Sequence, residues 1–201
     1  MPLVAILRGL KPAEAPDALA ALVKAGFRII EVPLNSPRPF ETIAYLASQA
    51  GADLLIGAGT VLSVEEARAA AQAGARLMVA PNCDPLVIAA AKAHGMATLP
   101  GVATPSEAFA ALKAGADGLK MFPAELLPPK ALKAWRAVLP KDTLVFPVGG
   151  IRPDTMAPYW ASGANGFGTG SNLYQPGADS AAVRAVAAQY AAAFALLQAG
   201  R

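Results

Sequence analysis

The chain has very few of the residues from which disulfide frameworks and metal centres are built. Among its 201 residues are one cysteine, Cys83, and one histidine, His94. A single cysteine excludes an internal disulfide framework and suits a reducing compartment, so we expect a cytoplasmic protein. His94 precedes Gly95 at a predicted helix end, where a cation complements the helix dipole, which leaves Cys83 without a histidine partner for nucleophilic catalysis. No metal site is predicted from this composition.

Charges and long apolar runs are also scarce. Charged residues make up 15% of the chain, against about 25% in typical domains. The net charge is +3 and the basic residues are scattered, which disfavours nucleic-acid binding and allows a mild preference for small anionic ligands. No uninterrupted apolar run reaches the roughly 18 residues of a membrane span. The apolar start of the chain is predicted to be a strand rather than a signal peptide.

Short β-rich runs alternate with Ala-rich helical stretches along the whole chain. The predicted strands are residues 3–7, 29–32, 54–56, 77–79, 97–99, 118–121, 144–148 and 166–168. Helix starts are indicated at Asp17, at Ser63 with Glu66 three residues on, at Ser106 and at Asp154. Glycines expected to end helices in a left-handed conformation are Gly26, Gly74, Gly95, Gly115 and Gly163.

About eight β-α units predict a (β/α)8 TIM barrel, a single α/β domain over residues 1–201. A doubly wound open sheet is the alternative, but residues 8–12 lack the Gly-rich dinucleotide fingerprint of that fold. In a barrel the chemistry lies at the carboxyl ends of the strands, so polar residues there are candidates for a site. They are Arg8, Glu31, Asn35, Thr60, Asn82, Lys120, Gly149, Gly150 and residues 168–172.

Lys120 and Glu31 are each flanked by apolar residues within a predicted strand, so both are predicted to point into the barrel. Burial lowers the pKa of a lysine, and a neutral amine attacks ketones to form a Schiff base. The alternative is a strand-end lysine that extends its head into solvent along an apolar stem. The pair could serve as an amine nucleophile beside a carboxylate proton shuttle, or as a structural ion pair.

Two Gly-rich segments follow the last two predicted strands. Gly149 and Gly150 come after one strand, and the run Gly168-Thr169-Gly170-Ser171-Asn172 begins at the end of the other. Glycines there expose backbone N–H groups, and barrels commonly bind phosphate at these two positions. Tight turns also use glycine, so the pair of segments indicates a phosphate site more strongly than either segment alone.

Five motifs, in order along the chain, resemble those of the class I 2-keto-3-deoxy-6-phosphogluconate and -phosphogalactonate aldolases. They are Ala5-Ile6-Leu7-Arg8-Gly9, Glu31-Val32-Pro33-Leu34-Asn35-Ser36-Pro37, Gly57-Ala58-Gly59-Thr60-Val61, Gly118-Leu119-Lys120-Met121-Phe122-Pro123 and Val148-Gly149-Gly150. The resemblance implies a (β/α)8 barrel, a homotrimer, and catalysis with no metal or organic cofactor.

The resemblance also implies a role for each candidate residue. Lys120 would form the Schiff base with the C2 ketone, and Glu31 would be the general acid and base. Arg8 and Thr60 would hold the substrate carboxylate. The phosphate would be held by the segments that contain Gly149, Gly150, Gly168, Thr169, Gly170 and Ser171.

Two positions differ from enzymes of the gluco type and resemble the galacto type. Asn35 stands where a gluco-type arginine is usual, and Val148 stands where a threonine is usual. Valine cannot donate a hydrogen bond to the C4 hydroxyl, so this protein is expected to prefer a different C4 epimer from the gluco-type enzymes. The resemblance implies 2-dehydro-3-deoxy-6-phosphogalactonate as the substrate, within galactonate breakdown. The alternatives are a gluco-type or 4-hydroxy-2-oxoglutarate aldolase, or a non-catalytic barrel that binds phosphosugars.

Overall fold

The computed structural model describes residues 1–200, so Arg201, the end of the predicted domain, lies outside the described residues. Strands and helices alternate along the chain. The strands are β1 Leu3–Ile6, β2 Ile29–Pro33, β3 Leu55–Gly59, β4 Leu77–Val79, β5 Ala97–Leu99, β6 Gly101–Val102, β7 Leu119–Met121, β8 Val145–Pro147 and β9 Phe167–Thr169. The helices are α1 Ala15–Lys24, α2 Pro39–Gln49, α3 Val64–Gln72, α4 Pro85–Ala93, α5 Pro105–Lys113, α6 Pro129–Arg136, α7 Met156–Ala161 and α8 Ser180–Ala199.

The strands form two parallel sheets, and the predicted closed eight-stranded barrel is wrong. One sheet has six strands in the order β5-β4-β3-β2-β1-β9, and the other has three in the order β6-β7-β8. The larger sheet is a curled half-barrel. The smaller sheet lies between its two edges, since β6 follows β5 after one residue and a single bridge joins Val148, just after β8, to Gly168 of β9.

Prolines coincide with both gaps between the sheets. A barrel closes only if every strand is hydrogen-bonded to both neighbours. Pro100 separates β5 from β6 and has no N–H to donate. At the other gap Pro147 ends β8, which places this proline on an edge strand, where the missing donor is tolerated. Single backbone hydrogen bonds still cross both gaps, from the Gly118 N–H to the Thr98 carbonyl at 3.2 Å and from the Asn165 N–H to the Val145 carbonyl at 2.9 Å, but the regular ladder is interrupted at these two points.

The side chains of each strand alternate between two apolar layers. Leu3 and Ala5 of β1 pack in the large core against the helices, whereas Val4 and Ile6 belong to a smaller cluster on the other face. That smaller cluster also contains Leu77, Val79, Leu99, Phe146 and Val148. The interior between the two sheets is therefore filled by side chains, as the period of two along a strand requires.

Each of the four predicted helix starts lies within two residues of an observed one, since α1 begins at Ala15, α3 at Val64, α5 at Pro105 and α7 at Met156. Ser63 caps α3, because its Oγ accepts a hydrogen bond of 3.1 Å from the N–H of Glu66. The helix predicted at Ser106 begins one residue earlier, at Pro105, where Thr104 and Glu107 form the capping box. All five glycines predicted to follow helices have positive φ angles. The two-residue strand β6 is the strand that the sequence pattern missed.

Helix α8 is long and apolar enough to cross a membrane by length and composition alone, with a mean hydropathy of 1.4 over its best window. It packs along α1 and α7 in this fold. Val183, Ala187, Tyr190 and Phe194 are buried on its inner face. A core helix passes the same test of length and hydropathy, so this feature is weak evidence for a membrane span.

Candidate active site

Lys120 lies in the middle of β7 with only 6% of its surface exposed. Its neighbours Leu119 and Met121 point into the core against the helices, so the lysine points to the opposite face of the sheet, as predicted. The Nζ atom lies 4.5 Å from the ring centre of Phe122. Burial lowers the pKa of Lys120, and the charge of Arg8 lowers it further, while Glu31 opposes both effects. These surroundings favour the neutral, nucleophilic amine.

Glu31 lies in β2 and is 2% exposed. Its carboxylate occupies the space beside Gly59, where an added methyl group would overlap the carboxylate oxygens. The Oε2 atom has no hydrogen-bond partner among residues 1–200. Burial raises the pKa of Glu31 from 4.5 to about 7, although the charges of Lys120 and Arg8 pull it down. A carboxyl group with this pKa can both accept and donate a proton at neutral pH.

The two groups influence each other through space. Glu31 raises the pKa of Lys120, and Lys120 lowers that of Glu31. Across the described part of the chain, however, the salt bridges of 4.0 Å or less join other residues. A direct ion pair, the structural alternative for these two charges, is therefore not formed.

A cavity of about 610 Å³ opens beside Lys120 at the carboxyl ends of the strands. Ten of the candidate residues line it: Arg8, Asn35, Lys120, Val148, Gly149, Gly150, Gly168, Gly170, Ser171 and Asn172. Its volume suits a small-molecule ligand. The structure thus brings together most of the candidates, from strands that are far apart in the sequence.

Four candidate residues do not line this cavity, and one of them, Asn82, is exposed in the loop after β4. Glu31 is buried beside Gly59, and the charges of Lys120 and Arg8 act on it electrostatically. Thr60 follows β3 in a left-handed conformation, with a φ of 55°, which is uncommon for a β-branched residue. Thr169 ends β9 and is 2% exposed. The predicted contacts of Thr60 and Thr169 with substrate stay predictions.

Backbone donors are available at the two Gly-rich segments. Gly149 and Gly150 have φ angles of 110° and 64°, and Ser171 lies in the turn after β9. Within residues 1–200, none of these three N–H groups donates to another backbone oxygen. Unpaired N–H groups from consecutive residues in a turn form a concave anion site. This end of the cavity is therefore suited to a phosphate group.

Glu125 also lines the cavity, and the sequence analysis did not identify it. It lies in the 3₁₀ turn Ala124–Leu126, and a methyl group on Gly149 would come within 3.0 Å of its Oε2 atom. The turn is held by the hydroxyl of Tyr159, which donates to the carbonyls of Ala124 and Leu127 at 2.8 and 3.0 Å. Its position shortly after Lys120 was the available sequence signal.

Two loops contribute further lining residues. Tyr174, Gln175 and Pro176 follow the Gly-rich run, and Asn35 follows β2. The Tyr174 hydroxyl donates to Glu14 Oε2 at 2.9 Å, and Arg8 Nη1 donates to Asn35 Oδ1 at 2.6 Å. In the described residues 1–200 there is no group of three or more His, Cys, Asp or Glu side chains that could hold a metal ion.

Comparison with known proteins gives a consistent result. The family model for KDPG and KHG aldolase matches residues 1–187. A probable 2-dehydro-3-deoxy-6-phosphogalactonate aldolase of Rhizobium meliloti (strain 1021) is 52% identical over 183 residues, which is 91% of this chain and 86% of the relative. The 2-dehydro-3-deoxy-6-phosphogalactonate aldolase of Escherichia coli (strain K12) is 46% identical over 177 residues, which is 88% of this chain and 86% of the relative.

Among solved structures, one described as native KDPGal superimposes with a TM-score of 0.97. It is 43% identical in sequence, and the match covers 99% of this chain and 97% of that one. The agreement therefore includes nearly the whole fold, not only the strands that carry the site.

Proposed function

The chain belongs to the KDPG and KHG aldolase family, and we propose that it cleaves 2-dehydro-3-deoxy-6-phospho-D-galactonate to pyruvate and D-glyceraldehyde 3-phosphate. It is an aldolase, a lyase that breaks a carbon–carbon bond. The observation that carries the mechanism is the buried Lys120 beside the cavity, with a lowered pKa and a proton-carrying carboxyl group close by.

The reaction begins at Lys120. Its neutral amine attacks the C2 ketone and forms a carbinolamine. Glu31 donates a proton to the departing hydroxyl, and loss of water leaves a protonated imine between Lys120 and C2. This cationic nitrogen can accept an electron pair from the neighbouring carbon–carbon bond, so the protein supplies its own electron sink.

Cleavage and product release use the same two residues, Lys120 and Glu31. Glu31, now ionised, takes the proton of the C4 hydroxyl, the C3–C4 bond breaks, and its electrons move to the imine nitrogen. Glyceraldehyde 3-phosphate leaves and an enamine remains on Lys120. Glu31 returns its proton to C3, and water then hydrolyses the protonated imine to pyruvate and the free amine, while Glu31 takes up the proton that this hydrolysis releases. A pKa of about 7 suits a group that transfers the proton in both directions.

Substrate orientation follows from the two ends of the cavity. We assign the carboxylate to Arg8 and Thr60, at the ends of β1 and β3. The phosphate is assigned to the backbone of Gly149, Gly150 and the segment from Gly168 to Ser171, which includes Thr169 and Gly170. The unpaired N–H groups at this end support the second assignment.

The galacto epimer is supported by two kinds of observation. The relatives that are 52% and 46% identical are named as phosphogalactonate aldolases. Val148 lines the cavity next to Lys120 and Gly149, so an apolar side chain occupies the place where a C4 hydroxyl could be recognised. The gluco-type and 4-hydroxy-2-oxoglutarate activities are the alternatives.

The decisive experiment compares cleavage of the two C4 epimers, 2-keto-3-deoxy-6-phosphogalactonate and -phosphogluconate, in one pyruvate-coupled assay. A higher kcat/KM for the galacto epimer is expected. A gluco preference or equal values would contradict the substrate assignment but keep the aldolase. Val148→Thr should bring the kcat/KM values of the two epimers closer together. An unchanged ratio of these values would mean that Val148 does not determine which epimer is cleaved.

We also propose a homotrimer in the cytoplasm. Large apolar side chains are exposed on the adjacent helices α3 and α4 and just before α3, namely Leu62, Val64 and Leu86. Exposed apolar groups of this kind are common at subunit contacts. The single cysteine supports a reducing compartment, and we place the activity in galactonate catabolism.

A further inference from the structure

Arg8 has an exposed side chain, yet it has a defined partner. It follows β1, and its Nη1 atom donates a hydrogen bond of 2.6 Å to Oδ1 of Asn35, which follows the neighbouring strand β2. Both side chains line the cavity beside Lys120. An exposed arginine has several rotamers of similar energy, so a short hydrogen bond to its head group selects one of them.

The residues that follow Arg8 and Asn35 form a second contact between the same two loops. The N–H of Gly9 donates to the hydroxyl of Ser36 at 2.9 Å, and Ser36 is only 7% exposed. Ser36 is itself held by its N–H bond to the carbonyl of Pro33 at 2.9 Å. Pro176 packs against the other side of Gly9, where a methyl group would come within 2.6 Å of its Cγ atom. The backbone that carries Arg8 is therefore fixed from two sides.

The charge of Arg8 reaches both reacting groups. It lowers the pKa of Glu31 and also that of Lys120. Asn35 holds this charge without neutralising it, because an amide oxygen is a neutral acceptor. A carboxylate in the same place would pair with the guanidinium and would repel an anionic ligand.

We propose that Asn35 is a positioning residue for the reaction. Through a neutral hydrogen bond it orients Arg8, so that the remaining guanidinium donors face the carboxylate of the bound keto acid. This inference rests on the proposed function, in which Arg8 binds that carboxylate. Asn35 does not itself touch the reacting atoms in this scheme.

The test uses hydrogen exchange at the methyl group of pyruvate, because this half-reaction needs Lys120, Glu31 and the carboxylate site but no aldehyde. Asn35→Ala is expected to raise the KM for pyruvate about tenfold, with a smaller change in kcat, because a charge-assisted hydrogen bond is lost. Gln49→Ala, an exposed amide on α2 away from the cavity, is the control and should leave both constants unchanged.

A double-mutant cycle shows whether Asn35 acts through Arg8. Arg8→Ala alone should raise the KM at least as much as Asn35→Ala, and adding Asn35→Ala to it should change the KM less than twofold. An additive effect, or a wild-type KM in Asn35→Ala, would overturn the proposal. Absence of exchange in the wild-type protein would instead overturn the proposed function.

Asn35→Asp provides a second measurement that does not depend on the stability of the alanine variant. It keeps the acceptor atom but adds a negative charge that offsets the field of Arg8 on Glu31 and Lys120. The acidic limb of the pH profile of exchange should therefore move to higher pH. Glu125 faces the same cavity and is unchanged in all variants, so it serves as a constant background. An unshifted profile would contradict the proposal.

Discussion

Lys120 is the residue on which the proposed chemistry depends. Treatment with pyruvate and borohydride should inactivate the protein and leave a reduced adduct on Lys120, which peptide mass spectrometry would locate. Lys120→Ala should abolish cleavage, and Lys120→Arg should not restore it, because arginine stays protonated at every working pH. An adduct on another residue, or none, would contradict the Schiff-base mechanism.

Glu31 links catalysis to stability. Its pKa is raised from 4.5 to about 7, so between these values the folded state binds a proton that the unfolded state has released. Stability should therefore fall as pH rises through this window and then level off. Glu31→Gln removes this penalty, which is about 3 kcal/mol above pH 7 for a shift of about 2.5 pKa units at about 1.4 kcal/mol per unit.

Denaturant titrations at several pH values measure this difference directly. Glu31→Gln should be more stable than the wild type at pH 8 and equally stable near pH 4, while its cleavage activity is lost. A variant that is less stable at pH 8 would show that the ionised carboxylate stabilises the fold, as a structural ion pair would.

Glu125 places a negative charge at the end of the cavity assigned to phosphate. A carboxylate next to a bound dianion is unfavourable, so its removal should strengthen anion binding. Glu125→Gln should lower the inhibition constant of inorganic phosphate several-fold and leave pyruvate exchange unchanged. Glu65→Gln, in the first turn of α3, is the control. Weaker phosphate inhibition would mean that Glu125 supports this site.

At the scale of elements, strand β3 provides the space in which the Glu31 carboxyl group of the neighbouring strand β2 lies. Gly59 leaves the volume that the Glu31 carboxylate fills. Gly59→Ala should displace Glu31 and reduce kcat by about 100-fold, a loss of the size expected for removal of a general acid-base group. Adding Glu31→Asp shortens the acid and should recover stability in thermal melts. Full activity in Gly59→Ala would show that the carboxylate can move freely.

The helix and strand positions were largely predictable because their signals are local. The cap at Ser63, the glycines after five helices and the alternation around Lys120 each depend on residues close together in the chain. Strand β6 was not predictable in this way, because two residues carry no period. Its pairing with β7 is visible only when Gly101 and Lys120 are aligned in space.

At the scale of the whole molecule, the proposed trimer makes a direct prediction. Light scattering after gel filtration should give three times the chain mass of 20.4 kDa. The exposed apolar residues before and on α3 and α4 would then lose solvent accessibility in the assembly. A monomer mass at micromolar concentration would contradict the trimer and leave the aldolase assignment intact.

The amino-acid sequence by itself determined the order of elements, the buried lysine, the two Gly-rich segments and, through its motifs, the family. These features are encoded by neighbouring residues or by a pattern shared with relatives. The tertiary structure decided that the strands divide into two sheets, since the continuity of the ladder at Pro100 and Pro147 depends on pairing between segments far apart in the chain. It also decided that Glu125 meets Gly149 and Asn35 holds Arg8, because such contacts join residues more than 20 positions apart.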